Sequence, residues 1–357
     1  MVDSNFWKNK KVFLTGHTGF KGSWMSIWLN KLGANVKGYS LQPPSQPSLF
    51  NEAKISELVD SEINDVRNFI KLNESIQKFS PDIIFHMAAQ PLVRASYDTP
   101  LETYETNVMG TANLLQASCT NPAVKAVINI TTDKCYENLE LDIAYKETDK
   151  MGGSDPYSSS KACSELVTSA YRQSFFQQKK IGIASARAGN VIGGGDWAED
   201  RLIPDILKAF KTRKPVIIRN PKATRPWQHV LEPLSGYLLL AEKLFNEPDK
   251  YSEGWNFGPH VNDVKQVDWI LDYMVELWPN SCWKLDSSPN PHEANLLKLD
   301  ISKSESQLRW HPTWSLETSL KKIVQWQKSY ESGANMHDIC SKEISQFIKD
   351  SKNNGHN

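Results

Sequence analysis

Neither sign of charge prevails in this 357-residue chain: Lys and Arg total 41, as do Asp and Glu. That balance argues against a general affinity for nucleic acid or an anionic membrane, while leaving room for a local basic pocket around one diphosphate. Cysteine is sparse. The five present (Cys119, Cys135, Cys163, Cys282, Cys340) are scattered, odd in number and without C-x-x-C spacing. This speaks against a disulfide framework or a zinc site, so no metal is expected, and a reducing cytoplasm fits best. Long hydrophobic runs are missing too: the first residues hold no apolar signal core, and no later run is long enough to span a bilayer. Internal repeats and low-complexity segments are also lacking.

What is present is an alternation of short apolar runs with helical patterns, the mark of a parallel sheet with crossover helices. Strands are expected at Val12–Leu14, Asn35–Tyr39, Ile83–Phe85, Ala126–Ile130 and Ile181–Ala186. Helical spacing covers Pro100–Cys119 and Tyr157–Phe176, and places Trp24, Met25, Trp28, Leu29 and Leu32 on one face. From Gly193 the rhythm changes: prolines recur, with helical patterns at Leu231–Phe245, Val267–Trp278 and Leu316–Trp326 and a short segment at Leu296–Asp300. The expected architecture is α/β: a Rossmann-type doubly wound parallel sheet over 1–192, then a smaller mixed α/β substrate lobe over 193–332 with some segments returning to the main sheet. Residues 333–357 read as a loosely docked tail helix.

The first strand runs into Thr15-Gly16-His17-Thr18-Gly19-Phe20-Lys21-Gly22. Gly16 permits the tight turn, Gly19 the approach of a pyrophosphate to the backbone, and Gly22 close helix packing. The helix that follows would present free N–H groups and a positive dipole end to that anion. His17 departs from the small residue usual in such loops. The second strand ends Gly38-Tyr39-Ser40, with neither an acidic residue for a ribose 2′-hydroxyl nor an arginine for a 2′-phosphate. Asp65 and Val66 are candidates for the adenine, and the unphosphorylated dinucleotide, NAD, is favoured.

Tyr157 and Lys161 stand four apart and so share a helical face. A phenol with an ordinary pKa near ~10 is a poor base at neutral pH, but a neighbouring ammonium and a positive nicotinamide ring both favour phenolate. The strand Ala126–Ile130 continues into Thr131-Thr132-Asp133-Lys134 at the carboxyl edge of the sheet, where doubly wound folds bind ligands. Thr132 suits a donor to a substrate oxygen, and Asp133 and Lys134 add ionisable groups.

With these residues in hand, the chain resembles an extended short-chain dehydrogenase/reductase from about residue 8 to residue 330. The resemblance rests on Gly16-x-x-Gly19-x-x-Gly22, His86-Met87-Ala88-Ala89-Gln90, Asn107-x-x-Gly110-Thr111, Thr132 and Tyr157-x-x-x-Lys161. Within that family, Thr132-Asp133 followed by an ionisable residue is similar to the sugar-nucleotide 4,6-dehydratases. The runs Gly189–Trp197 and Arg225–Val230, with the phosphate loop and Thr131–Tyr136, narrow the match to one subtype. The resemblance implies a nucleoside-diphosphate sugar substrate oxidised transiently at C4, dehydrated across C5 and C6, and reduced at C6. It makes Tyr157 the base at the 4-hydroxyl, Thr132 its polarising partner, and Asp133 the acid for the 6-hydroxyl.

Relatives place a glutamate where Lys134 stands. Lys134 is then either a neutral base for the C5 proton or an ammonium that stabilises the enolate. The resemblance also implies cofactor contacts from Gly16, His17, Gly19, Phe20, Gly22, Asp65, Val66, Ala88, Ala89, Gln90, Asn107, Tyr157 and Lys161. Asn190, Arg201 and Arg225 fall to the substrate, the arginines through their planar donor forks. His229, His260, His292 and His311 read as structural, and Trp24, Trp28 and Trp326 as core. The helices at 100–119 and 157–176 are a candidate homodimer or higher-oligomer interface. The competing enzyme readings are another sugar-nucleotide 4,6-dehydratase and a 4-epimerase, though an epimerase has no use for Asp133 as an acid; a non-catalytic dinucleotide sensor is a further one.

Overall fold

The computed structural model describes residues 2–286 and 297–354. Seven strands form one sheet: β1 (Lys11–Thr15), β2 (Asn35–Ser40), β3 (Asp60–Ile63), β4 (Ile83–His86), β5 (Ala126–Ile130), β6 (Gly182–Ala188) and β7 (Gly254–Phe257), in the order β7-β6-β5-β4-β1-β2-β3. Every pairing in it is parallel. The order reverses between β1 and β4, which creates the crevice at the carboxyl edge where a doubly wound sheet takes its ligand. Strands β4, β5 and β6 are buried throughout, as apolar runs covered on both faces must be.

Helix α1 (Phe20–Lys31) follows β1, and α2 (Phe69–Phe79) follows β3. The predicted helix at 100–119 is a Pro100–Tyr104 helix that widens through a π turn at Glu105–Met109 into Gly110–Cys119, together α3. Helix α4 (Pro156–Tyr171) carries the Tyr–Lys pair; Asp155 caps it by accepting from the Ser158 amide, and Pro156 opens its first turn. Helix α5 (Leu202–Lys211), α6 (Leu231–Asn246), α7 (Val267–Leu277) and α8 (Leu316–Glu331) belong to the later chain. Ile203, Ile206, Phe210, Ile270, Leu271, Leu320 and Ile323 from α5, α7 and α8 pack into a second apolar core. The short pair Val216–Ile218 with Trp283–Leu285 joins it. By contrast α6 and β7 return to the main sheet, Leu234, Leu238 and Trp255 sharing one core with β1, β4, β5 and β6.

The C-terminal segment corrects the sequence reading. Met336–Asn354 (α9) is firmly packed, because Met336, Cys340, Ile344 and Phe347 line one buried face. Phe347 meets Trp28 and Trp314 edge-on, and Glu343 lies 3.1 Å from Nε2 of the buried His229. Trp24, Trp28 and Trp326 are core, as predicted. His292 and Leu296 lie outside the described residues. Among those described, no helix is long and apolar enough to cross a membrane.

Candidate active site

The crevice is closed from below by Thr15. Its hydroxyl oxygen accepts from the amides of Met87 and Ala88, both at 3.1 Å, and lies 2.8 Å from Nδ1 of His86. With two donors already on that oxygen, the hydroxyl proton goes to Nδ1, which makes His86 a neutral acceptor on that side. Burial, with the Lys161 charge, pushes this imidazole down to about 3. The carboxyl ends of β1 and β4 are thus tied together at the switch point.

Gly16 takes a left-handed φ of 78°, and a β-carbon there would lie 2.8 Å from the Ala88 amide nitrogen. At Gly22 it would lie 2.0 Å from the Gly16 carbonyl, whereas at Gly19 nothing but that carbonyl stands within 4 Å, at 3.4 Å. Gly16 and Gly22 are therefore held by backbone contact, while Gly19 faces open space. Gly19 is also the N-cap of α1 and provides no side-chain cap. The first-turn amides are left to an anion, which is the cradle a dinucleotide diphosphate needs. The Phe20 ring packs toward Gly193 and so joins the loop to the later chain.

His17 turns behind the loop. Its ring lies against Gly38 of β2, where a β-carbon would fall 2.4 Å from it, and Nε2 meets the Ser61 hydroxyl at 2.7 Å. Burial first, then the Lys37 charge, lowers it to about 4, so it is neutral. The Asp65 carboxylate is ion-paired to Arg67 at 2.6 Å, and Val66 is buried against α3 near Gly110. Asn107 spends its amide on Gln90 and on the Ser160 hydroxyl (2.9 Å), bracing α4. Gln90 likewise holds Leu92 and Thr103. Ala89 stands between Ala88 and Gln90 on this braced segment.

At the end of β5 the catalytic candidates converge. Thr132 donates to Oδ1 of Asp133 at 3.0 Å and lies within reach of the Tyr157 phenol. Asp133 is buried, and desolvation raises its carboxyl above the usual range against the pull of Lys134, Thr132 and Arg225. Lys161 donates to the Ile130 carbonyl at 3.2 Å, and burial lowers its ammonium to about 8. The expected lowering of the Tyr157 phenol by that ammonium is not what the protein alone produces. Burial drives the phenol up to about 12, and the Thr132 hydrogen bond and the Arg201 charge oppose it only in part. Lys134, half-buried, follows directly with its amide on the Thr132 hydroxyl.

Arg201 caps the site beside α5, paired to Asp196 at 2.8 Å. Arg225 is buried and close enough for its charge to act on Asp133. Asn190 stands at φ 39°, a left-handed conformation that asparagine tolerates, just past β6. Three further residues reach the site without having been singled out in the sequence: Lys21, Gln228 and Tyr237. Lys21, in the first turn of α1, is pushed down to about 7 by burial and by Lys161 and Arg201. Its signal was a cation where a helix start favours an anion. Gln228 and Tyr237 gave no comparable signal.

A phosphate loop at the switch point, a Tyr–Lys pair on the next helix and a threonine at the β5 edge define the extended short-chain dehydrogenase/reductase class. The chain belongs to the GDP-mannose 4,6 dehydratase family, whose model matches residues 13–323. It is 57% identical over 355 residues to the CDP-glucose 4,6-dehydratase of Salmonella typhimurium, covering 98% of this chain and 99% of that one. That is the subtype to which the loop and strand-end runs point. A dTDP-glucose 4,6-dehydratase of Haemophilus influenzae is 24% identical, covering 88% of this chain and 97% of its own. Among solved structures, UDP-glucose 4-epimerase of Thermotoga maritima superposes with a TM-score of 0.78 at 20% identity, covering 90% of this chain and 99% of that one. A dTDP-glucose 4,6-dehydratase of Bacillus anthracis gives 0.75 at 20%, covering 92% and 99%. These structural likenesses establish the fold.

Proposed function

We propose that this chain is a CDP-glucose 4,6-dehydratase that converts CDP-D-glucose to CDP-4-keto-6-deoxy-D-glucose and water. The observation that carries the reading is the line Tyr157–Thr132–Asp133, in which one hydroxyl is bonded to the acid and lies within reach of the base. A 4-epimerase needs the first two members alone. The full-length identity to a CDP-glucose enzyme supports the nucleotide.

The glycine cradle fits NAD, which when bound supplies the two-electron acceptor at C4 and donor at C6. Tyr157 takes the proton of the 4-hydroxyl, with Thr132 donating to the same oxygen. The fixed charges of Lys161 and Arg201 favour the phenolate as that proton moves. Asp133, whose proton burial favours, donates to the departing 6-hydroxyl. The C5 proton passes to a base other than Asp133, its electron pair forms the C5–C6 double bond as the C6–O bond breaks, and Lys134 stands beside Asp133 as a positive charge for the enolate so created. Arg201, Arg225 and Asn190 face the diphosphate and hexose. A homodimer would cover Leu101 and Met109 on α3 together with Leu166 on α4, which are 78%, 54% and 59% exposed. All five cysteines are unpaired, which suits a cytoplasmic setting.

The test is incubation with CDP-, dTDP- and UDP-glucose and GDP-mannose in deuterated water. The expected result is a 4-keto-6-deoxy product from CDP-glucose, labelled at C5, with no net accumulation of reduced dinucleotide. Steady accumulation of reduced dinucleotide would identify a simple dehydrogenase, and an unlabelled C4 epimer would identify an epimerase.

A further inference from the structure

One buried face of α9 is formed by positions 336, 340, 343, 344 and 347, and four of its side chains are Met, Cys, Ile and Phe. The fifth, Glu343, is an ionisable group where helical spacing places core, and a buried charge is costly unless something pairs with it. Its Oε1 lies 3.1 Å from Nε2 of His229. The two atoms are tilted from the line of an ideal hydrogen bond, and among the described residues neither is hydrogen-bonded elsewhere. His229 is wholly buried, with Trp24 and Trp314 edge-on to its ring at 6.2 and 5.0 Å. Its Nδ1 accepts from the Leu231 amide at 3.3 Å, one of the donors left free at the start of α6. The imidazole proton therefore belongs on Nε2, on the side of the glutamate.

What His229 holds in turn is the rim of the substrate site. Gln228–His229 runs parallel to Val191–Ile192, the pair that follows Asn190. The Gln228 amide donates to the Asn190 carbonyl at 3.3 Å, its side-chain Nε2 to the Gly189 carbonyl at 3.3 Å, and the Val230 amide to the Ile192 carbonyl at 2.8 Å. This lacing surrounds the left-handed backbone of Asn190. Arg225 lies on the same run, its carbonyl accepting from the Trp227 amide at 3.0 Å. Helix α9 is docked by other contacts as well, with Phe347 on Trp28 and Asp350 accepting from the Trp314 indole at 2.9 Å. It begins past residue 323, where the family match ends.

We propose that Glu343 is a positioning residue for substrate binding. It fixes the His229 ring, and through it the two paired segments that present Asn190 and Arg225 to the nucleoside-diphosphate sugar. The inference rests on the reading of Asn190 and Arg225 as substrate residues. Four apolar or thiol side chains and the Asp350 contact already dock α9, so the glutamate is not needed for that task. An aliphatic side chain at 343 would pack there without the desolvation that a carboxylate costs. What the glutamate supplies is orientation. With Nδ1 and Nε2 both engaged the imidazole does not turn, and residues 228–230 keep their register on 190–192.

Glu343→Met removes the acceptor and keeps the length of the side chain, whereas Glu343→Gln keeps an oxygen at the same reach. Both are assayed as the dinucleotide-loaded protein, with melting temperatures alongside. In Glu343→Met, KM for CDP-glucose should rise about tenfold, on the order of one weakened hydrogen bond to the diphosphate, with kcat close to the parent's. Affinity for CDP, measured by calorimetry, should fall by the same factor. Affinity of the dinucleotide-free protein for ADP-ribose should stay unchanged, and Glu343→Gln should restore the parent KM. If Glu343→Met does not fold, Glu343→Asp, which withdraws the oxygen by one methylene, carries the same expectation of a raised KM. An equal loss of CDP and ADP-ribose affinity, or a defect as large in Glu343→Gln, overturns the inference, because general loosening or charge alone then accounts for it. Parent-like KM in Glu343→Met and Glu343→Asp, with Arg225→Met impaired, overturns this inference alone. Parent-like CDP affinity in both Asn190→Gly and Arg225→Met overturns the substrate assignment and the inference with it.

Discussion

Gly189 and Asp133 are in van der Waals contact to the limit of what a glycine allows: a β-carbon on the one would stand 1.9 Å from Oδ2 of the other. The residue after the last position of β6 therefore sets where the acid sits. Gly189→Ala is expected to displace the carboxyl from Thr132 rather than to unfold the protein. A misplacement of this size costs about a hundredfold in rate, and the overpacking about 1–3 kcal/mol of stability. Product formation from CDP-glucose, with a parallel thermal melt, checks both. A variant with parent-like turnover would mean that Asp133 has slack, or another task.

Lys21 lies half-buried in the first turn of α1, its ammonium weakened by burial and by two facing cations, Lys161 and Arg201. A helix start repels such a charge, and the arrangement becomes favourable once a dinucleotide diphosphate arrives. Lys21→Met should weaken binding of ADP-ribose, which has the diphosphate but no nicotinamide, by about tenfold, the worth of one charge-assisted hydrogen bond. Calorimetric titration at two salt concentrations measures it, and the salt dependence should become shallower in the variant. Unchanged ADP-ribose affinity with tighter binding of the oxidised dinucleotide would instead place Lys21 at the nicotinamide ring.

Five strands of the parallel sheet and the Tyr157–Lys161 helix were legible because buried parallel strands and helical spacing write themselves into apolar periodicity. Strand β3 was not, since Asp60-Ser61-Glu62-Ile63 is a polar edge strand with no residue buried. Strand β7 is short and separated from β6 by the whole of residues 189–253, so its return to the sheet has no local mark. His17 and Gly38 show a different limit. One is bulky where the loop wants a small residue, and the other is small where a strand wants a side chain. The pair makes sense when the imidazole is seen lying on the glycine.

Lys134 is one of the cations that pull the Asp133 carboxyl down against burial. Lys134→Glu removes that pull and replaces it with a like charge, so Asp133 should hold its proton to higher pH. The alkaline limb of the elimination rate is expected to move upward. Removing a positive charge beside the nicotinamide site should also tighten binding of the oxidised dinucleotide relative to the reduced form. Fluorescence titration with both forms tests this, and equal affinities to the parent would exclude Lys134 as a determinant of cofactor charge.

Glu165 and Arg187 form the charged support beneath these groups. The pair meets at 2.7 Å with both side chains almost fully buried, and Glu165 also accepts from Thr131 at 2.5 Å and Ser185 at 2.6 Å. It therefore ties α4 to the strand ends that place Tyr157 and Thr132. Burial alone would raise the Glu165 carboxyl, but Arg187 and the hydroxyl donors outweigh it and hold it below the usual carboxylate range. A depressed folded pKa stabilises the fold above the unfolded value of about 4.3 and loses that contribution as pH falls through the lower, folded value. Parent stability should thus decline in acid below about pH 4.3. Glu165→Gln leaves Arg187 buried without its countercharge, at a cost of about 3–5 kcal/mol near neutrality. The gap between parent and variant, followed by urea unfolding from pH 7 downward, should close as the parent's own carboxylate protonates. A gap that stays constant across that range would show that hydrogen bonding, and not the charge on Glu165, is what α4 depends on.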